Sequence, residues 1–439
     1  MLKKILATVI ALTVCNQVQL PDMTGVGLMV EKSKKDTGCQ NVSVVIYDHG
    51  ELSYYGDSDG LYQIGSMTKS FTGLAIQKLI SEGVISEEDK ATDLIPGFKA
   101  YYNSTEADIT IEDFLTQRSG YTNSETDYPS ATENMTLEQW AESISGKELK
   151  SLPGTEYSYS NVNYNLLGLI IEKKTGRAYR DYMEEEILEP LGLTSTYAGM
   201  PGEGNVIEGT RLGFRNAFEY NVPVRQASIP AGYFYSNTED IGKWMSVWIE
   251  SVEPEMEVVL EHLKNEGDYY AGWERFADGI IGHSGGTPNY SSRIVFSAEK
   301  HTGVCVLTNL NVASTTDSLC NGIFDEVTGR PHGNLQCDVW TVFDIIFTSA
   351  TAVGIVLLML VFFIRKKGIL IGMGITVTIL LALVLILFPL IFGAGLGEIA
   401  FKWAPWSFLI GLIALAADIA GCAFKYILVK VNEGRAKTG

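Results

Sequence analysis

"IGSMTKSFTG", residues 64–73, places a serine three positions before a lysine at the head of an apolar run. After Ser66, the apolar residues Phe71, Leu74, Ala75, Leu79 and Ile80 recur at helical spacing. That pattern predicts a helix over Ser66–Glu82 with Ser66 at or near its N-terminus. There, free backbone N–H groups and the helix dipole favour negative charge on the serine oxygen. Residues three apart share a helix face, so Lys69 reaches that oxygen. A lysine among apolar neighbours gives up its proton more readily and can act as a base. The plainer alternative is a solvated helix start with Ser66 as a simple cap. A second match, Ser297-Ala-Glu-Lys300, falls in a strand turn and shows how weak S-x-x-K is by itself.

Two further patterns lie downstream. Y-x-N occurs at Tyr101, Tyr121, Tyr159 and Tyr235, but only Tyr159-Ser160-Asn161 lies between a Pro153-Gly154 turn and a helix start. Such a loop can present a phenol and an amide to a cleft, although an isolated Y-x-N is more often structural. His283-Ser284-Gly285 ends a strand and runs into a second glycine, Gly286, where a substrate can approach the backbone. A Ser-His-Asp triad has to be considered with five histidines, yet Gly65-Ser66 lacks the outer glycines of a G-x-S-x-G elbow.

The flanking sequence supplies the architecture. "NVSVVIYDHGELSYYG" (41–56) reads as a hairpin turning at Asp48-His49-Gly50. "GIIGHSGGTPNYSSRIVFSAEKHTGVCVLTN" (279–309) reads as three more strands, and residues 313–329 as a closing helix. Most segments between these ends read as helices. A sheet built from both chain ends with a helical insert is an α+β layout.

Charge and hydropathy divide the 439 residues. From Val339 onward, eight Lys/Arg face four Asp/Glu; the whole chain carries −19, so the first 338 residues carry −23. An acidic body argues against nucleic-acid binding. Residues 1–19 read as an export signal, with Lys3 and Lys4 before a short apolar core; Cys15 is a candidate for lipid attachment. Three stretches, about 340–364, 368–392 and 405–428, are long enough to cross a bilayer. Arg365, Lys366 and Lys367 lie between the first two, and Lys425, Lys430, Arg435 and Lys437 lie at or after the end of the third. This bias puts that loop and the tail in the cytoplasm and the acidic body outside. The expected domains are therefore 1–19, a body over 20–336 with its helical part at about 75–270, and a membrane region over 337–439. Asp418 falls mid-span, where a carboxyl needs a partner; Thr376 or Thr378 is the expected one. Cys39, Cys305, Cys320 and Cys337 would lie outside, where disulfides are permitted, with Cys305 reading as a core residue. No CxxC or Cys/His ligand spacing points to a metal.

Taken in order, Ser66-x-x-Lys69, Tyr159-x-Asn161 and His283-x-Gly285 resemble the serine β-lactamase and penicillin-binding protein superfamily, in its class C-like and esterase branch (peptidase family S12). "DFLTQRSGY" (113–121), "PGTEYSYSNVNYNLLGLIIEKKTG" (153–176), "PAGYFYSNTEDIGKWM" (230–245) and "GHSGGTPNYSS" (282–292) carry the same likeness. The resemblance implies a β-lactamase-like antiparallel sheet flanked by helices, an all-helical subdomain, and a site between them. It implies Ser66 as the acylated nucleophile, with Lys69 and Tyr159 as the paired bases. Asn161 would hold a substrate amide, and His283 and Gly285 would bind substrate. The backbone N–H groups of Ser66 and Gly286 would form the oxyanion hole. Neither cofactor nor metal is implied. Relatives usually have glycine at Asn163 and often His-Thr at Gln117-Arg118. With three terminal helices added, the arrangement resembles the colibactin-maturation, prodrug-activating peptidases, which remove an N-acyl-D-asparagine cap outside the cytoplasm; the body is shorter than in that group. The expected partners are a small peptide or acyl-peptide substrate and the lipid bilayer, with a homo-oligomer possible. The competing readings are a cell-wall D,D-peptidase, a β-lactamase or esterase, and a membrane sensor of peptidoglycan or antibiotic.

Overall fold

The computed structural model describes residues 23–124 and 127–438. The expected export signal and Cys15 lie outside them. The chain forms two compact units: one of residues up to Thr210 with Glu219–Gln336, the other of Arg211–Phe218 with Cys337–Gly439.

The first unit is built on a seven-stranded antiparallel sheet. Its strands are β1 (Val42–Asp48), β2 (Glu51–Tyr55), β3 (Tyr269–Tyr270), β4 (Trp273–Arg275), β5 (Ile281–Thr287), β6 (Tyr290–Ser297) and β7 (Thr302–Thr308), in the order β3-β4-β5-β6-β7-β1-β2. The two chain ends meet where β1 pairs with β7, from Val42↔Thr308 to Asp48↔Thr302. The expected hairpin turn forms at His49-Gly50, both with positive φ, a geometry that matches the twist of adjoining strands. Alternation fixes the two faces. Val45, Tyr47, Ile294, Phe296, Cys305 and Leu307 join the main core on one face. Val44, Ile46, Val304 and Val306 are buried on the other.

The helices used below are α1 (Met23–Thr37), α2 (Thr68–Ser81), α3 (Asn161–Thr175), α4 (Thr238–Ile249) and α5 (Ala313–Val327). α4 packs on β1 and β7; Trp244 of α4 stacks on Phe71 of α2 with centroids 3.9 Å apart. α5 covers β6 and β7 and meets α1. α3 is buried continuously from Val162 to Ile171, so it is enclosed rather than one-faced. Ser160 caps its start by accepting from the Val162 N–H, and Gly176 ends it in the left-handed conformation. The five described cysteines are free thiols; Cys39, Cys305 and Cys320 are buried and Cys337 is exposed.

The second unit holds α6 (Val339–Val361), α7 (Lys367–Phe392) and α8 (Trp406–Thr438), each long and apolar enough to cross a membrane. Residues 211–218 pack with these helices, although the sequence placed them in the body. They form most of a hairpin of Thr210–Gly213 and Asn216–Glu219. Its turn residues Phe214 and Arg215 both have positive φ, and their N–H groups donate to the two oxygens of Asp344 at 2.8 and 2.7 Å. Ser407 donates to the same carboxylate at 2.6 Å. The Arg211 guanidinium donates to the carbonyls of Ala400 and Ala404 and lies 4.2 Å from the Trp406 ring centroid. Asp418 does not find the expected threonine. Thr378 donates to the Gly374 carbonyl, whereas Asp418 faces Gly354 of α6, a glycine whose added Cβ would come within 3.0 Å of its Oδ2. Helix rotation, which hydropathy does not encode, decides that neighbour.

Candidate active site

Ser66 lies in a single 3₁₀ turn, Gly65–Met67, that leads into α2. It occupies neither cap position, and no side chain caps either helix, so the capping alternative fails. The decoy also resolves: the Ser297 hydroxyl accepts the Lys300 N–H at 3.3 Å, an ordinary turn with Lys300 exposed.

Gly65 fixes the approach of this turn to the sheet. Its φ is +51°, and a Cβ there would lie 2.4 Å from the Gly286 nitrogen. Gly285 is equally crowded, because its Cβ would lie 2.1 Å from the Ile64 carbonyl oxygen. Only residues without a side chain allow this contact. The Ser292 hydroxyl donates to that same carbonyl at 2.8 Å and ties β6 to the turn. At Gly286 the space is open, with nothing within 4 Å of a Cβ. The turn that holds Ser66 thus sits against the end of β5, with an opening beside it.

Lys69 is completely buried. Its Nζ lies 2.9 Å from Ser66 Oγ, 2.7 Å from Asn161 Oδ1 and 2.6 Å from the Ala231 carbonyl oxygen. Burial holds its pKa well below the ordinary lysine value, and the nearby Glu274 carboxylate opposes that fall. A neutral amine has two hydrogens and one lone pair. The amide oxygen and the carbonyl can only accept, so they take both hydrogens, and the lone pair is left for the Ser66 hydroxyl. The Nζ also stands 4.9 Å from the Tyr159 ring centroid, so a proton gained there faces an aromatic ring.

Tyr159 is held in place from behind. The Gln117 backbone oxygen accepts the Ser158 N–H at 2.8 Å, and its side-chain Oε1 accepts the Ser160 N–H at 2.9 Å. Gln117 Oε1 also accepts from Asn163 Nδ2 at 2.6 Å. Two of the three residues expected to depart from the family pattern, Gln117 and Asn163, therefore bond to each other, and Gln117 clamps both flanks of Tyr159. Gln117 takes a positive φ of 58° to do so. The clamp spans 46 positions, so only the paired departure could have hinted at it. Burial raises the Tyr159 pKa well above that of an ordinary phenol, and its hydrogen bond with Ser66 works against the rise.

His283 is buried, with its ring 6.0 Å from that of Tyr159. Its Nδ1 lies 2.6 Å from the Ser284 carbonyl oxygen. Burial, reinforced by Lys69, lowers its pKa to about 3, so the ring is neutral near pH 7. Its nearest acid is Glu274 on β4, 4.0 Å from Nε2, a residue that no motif singled out. Of the other Y-x-N tyrosines, Tyr121 is buried and Tyr235 accepts from Gln63. Ser66, Lys69, Tyr159, Asn161 and His283 thus come together with the Gly285-Gly286 backbone. No acid or histidine cluster able to hold a metal occurs among the described residues.

Comparison with known proteins identifies the family. The chain is 33% identical over 267 residues to the protein named Protein flp of Staphylococcus aureus, a match covering 57% of this chain and 53% of that one. The chain thus spans about half the length of this relative. It is 37% identical over 145 residues to a putative D-alanyl-D-alanine carboxypeptidase of Escherichia coli, over 31% of this chain and 33% of the other. The octameric penicillin-binding protein homologue from Pyrococcus abyssi has the same fold, with a TM-score of 0.61 at 24% identity, over 70% of this chain and 78% of that one. Residues 28–321 match the Beta-lactamase family model, and the chain belongs to that family of serine hydrolases.

Proposed function

We propose that this protein is a membrane-anchored serine hydrolase that cleaves an amide or ester through an acyl-enzyme on Ser66. The carrying observation is the set of three groups around Lys69 Nζ, which leaves a neutral amine's lone pair for Ser66. Lys69 takes the Ser66 proton as Oγ attacks the carbonyl. The Ser66 and Gly286 N–H groups receive the developing oxyanion. The Tyr159 hydroxyl gives its proton to the departing nitrogen or oxygen and regains one from the Lys69 ammonium. Water then attacks the acyl ester by the same route in reverse and frees Ser66. Asn161 orients Lys69 and presents its amide to the substrate.

The preferred substrate is a peptide or acyl-peptide with a small D-residue. The narrower reading, removal of an N-acyl-D-asparagine cap from a peptide natural product, rests on the pairing of this body with three apolar helices. The second reading, a penicillin-binding D,D-peptidase, draws on the name of the Escherichia coli relative. The charge bias of the membrane region supports a body outside the cytoplasm. The test is labelling of wild type and Ser66→Ala with fluorescent penicillin and fluorescent fluorophosphonate, followed by turnover of N-acyl-D-asparaginyl and D-Ala-D-Ala peptides. Fluorophosphonate labelling that needs Ser66, with the D-asparaginyl peptide cleaved, supports the narrower reading. Stable penicillin labelling with D-Ala-D-Ala cleaved supports the second. Acylation without turnover of any substrate would make the protein a sensor and refute the hydrolase.

A further inference from the structure

The last two membrane helices do not close completely on each other. α7 and α8 run antiparallel: Lys367 at the start of α7 pairs with Glu433 near the end of α8, and Leu370 packs in one cluster with Cys422 and Tyr426. Between the two helices lies an apolar groove of about 370 Å³, walled by Leu370, Gly374 and Ile379 of α7 and by Ile419, Ala423 and Tyr426 of α8. Small residues keep it open. A Cβ added at Gly374 would stand 3.7 Å from Cys422 Cβ, an ordinary contact, so the glycine leaves room that a larger side chain would fill. Thr378, also on the groove, donates its hydroxyl to the Gly374 carbonyl at 2.8 Å and offers the groove no free donor. From Leu370 to Ile379 the groove spans about 14 Å of helix. That is close to one leaflet's half of a hydrocarbon core about 30 Å thick.

One end of the groove is basic. Lys366 precedes α7 one turn before Leu370, whose N–H donates to the Lys366 carbonyl at 3.4 Å. Lys430 lies one turn beyond Tyr426 on the same face of α8. The neighbouring cations are engaged: Lys367 neutralises Glu433, and Lys425 donates to the Phe362 carbonyl at 2.6 Å. Lys366 and Lys430 are exposed, and neither has a polar partner among the described residues. An apolar slot one leaflet deep with two free cations at its polar end matches an acyl chain beneath an anionic headgroup. A zwitterionic headgroup would bring its own cation against both ammonium groups. We propose that the α7–α8 groove binds one anionic phospholipid, with an acyl chain along Gly374 and Ala423 and the headgroup phosphate at Lys366 and Lys430. The lipid site goes beyond the hydrolase reading and does not depend on Ser66; it rests on α6 to α8 crossing a bilayer.

The experiment is native mass spectrometry of the full-length protein, released from detergent micelles doped with equal amounts of palmitoyl-oleoyl phosphatidylglycerol and its phosphatidylcholine twin. The wild type should retain one phosphatidylglycerol per chain, preferred over phosphatidylcholine roughly tenfold or more. Lys366→Gln and Lys430→Gln should each cut that preference about fivefold. Arg365→Gln removes the same charge from the same loop and should leave the preference within about twofold of wild type. Gly374→Leu keeps every charge and fills the groove, so retention of both lipids should fall roughly tenfold or more. Ala423→Leu fills it from the opposite wall and replaces Gly374→Leu if a thermal melt shows that variant misfolded. Equal retention of the two lipids by wild type would overturn the site. So would an Arg365→Gln effect as large as that of the two lysines, which would mean diffuse surface attraction, or undiminished lipid in a folded variant with the groove filled.

Discussion

Replacing Gly65 by alanine tests the junction between the Ser66 turn and β5. The added Cβ would lie 2.4 Å from the Gly286 nitrogen and 2.8 Å from the Gly285 carbonyl carbon, both backbone atoms. Ordinary contact needs roughly 1 Å more than this, and no side-chain rotation can supply it. Strand β5 cannot retreat freely, because Gly285 pairs with Ser292 and Gly286 with Ser291 on β6. The left-handed φ of +51° adds about 1–2 kcal/mol for a residue with a Cβ. The outcome is a turn and a strand pushed apart along the line joining the two proposed oxyanion donors. Loss of one such donor, or a shift of about 1 Å in a reacting group, costs roughly 10²-fold or more in rate. Gly65→Ala should therefore lose about 10² in kcat/KM on any ester or amide substrate and melt at a lower temperature. The assay is the second-order rate of fluorophosphonate labelling beside a thermal melt. A variant that labels within twofold of wild type would refute the proposed geometry of the oxyanion hole.

Lys69→Met removes the base with little change of shape, and labelling of Ser66 should fall about 10³-fold, in the range of a lost general base. In the wild type the rate should climb with pH through the lowered Lys69 pKa, and the variant should lack that climb. The same shift bears on stability: the unfolded chain holds the Lys69 proton more tightly, so stability rises with pH from the folded value up to 10.5, a rise that Lys69→Met abolishes. Gln117→Ala removes the side-chain acceptor of the Ser160 and Asn163 bonds and leaves only the backbone bond to Ser158, and kcat should fall about tenfold or more with KM little moved; a change in KM alone would discount the clamp. His283 has its folded pKa lowered to about 3 from 6.5, so the unfolded chain binds the proton first and stability falls as pH drops from 6.5 towards 3. His283→Asn should flatten that part of the acid-unfolding curve. Asp344→Leu strips the partners from the Phe214 and Arg215 N–H groups and the Ser407 hydroxyl. At about 1.5–3 kcal/mol for a hydrogen bond to a charged group, amide exchange at residues 214 and 215 should accelerate at least tenfold.

Local patterning announced the parts of the fold that depend on near neighbours. The His49-Gly50 turn, the long strands β5 to β7 and the capped helix α3 follow from residue type and period. Strands β3 and β4 span two and three residues, too short for any period to register. The hairpin at 211–218 reads as body sequence, and only its bonds to Asp344 and the 400–404 carbonyls assign it to the membrane unit. The site divides along the same line. Ser66, Lys69 and Tyr159 sit in short motifs whose spacing carries their chemistry. Gln117 reaches Asn163 across 46 positions and appeared in the sequence only as a departure from relatives. Glu274 carries no motif; it matters because β4 pairs with β5 and brings Glu274 opposite Gly282, beside His283. Such residues are selected by sheet register, which becomes visible only when the strands are paired.

Mass-spectrometric mapping of the fluorophosphonate adduct on purified wild type and Lys69→Met tests the central claim most directly. The account predicts one adduct per chain, on the peptide containing Ser66, formed rapidly in wild type and about 10³-fold more slowly in the variant. An adduct on any other residue, or equal rates in the two proteins, would contradict it.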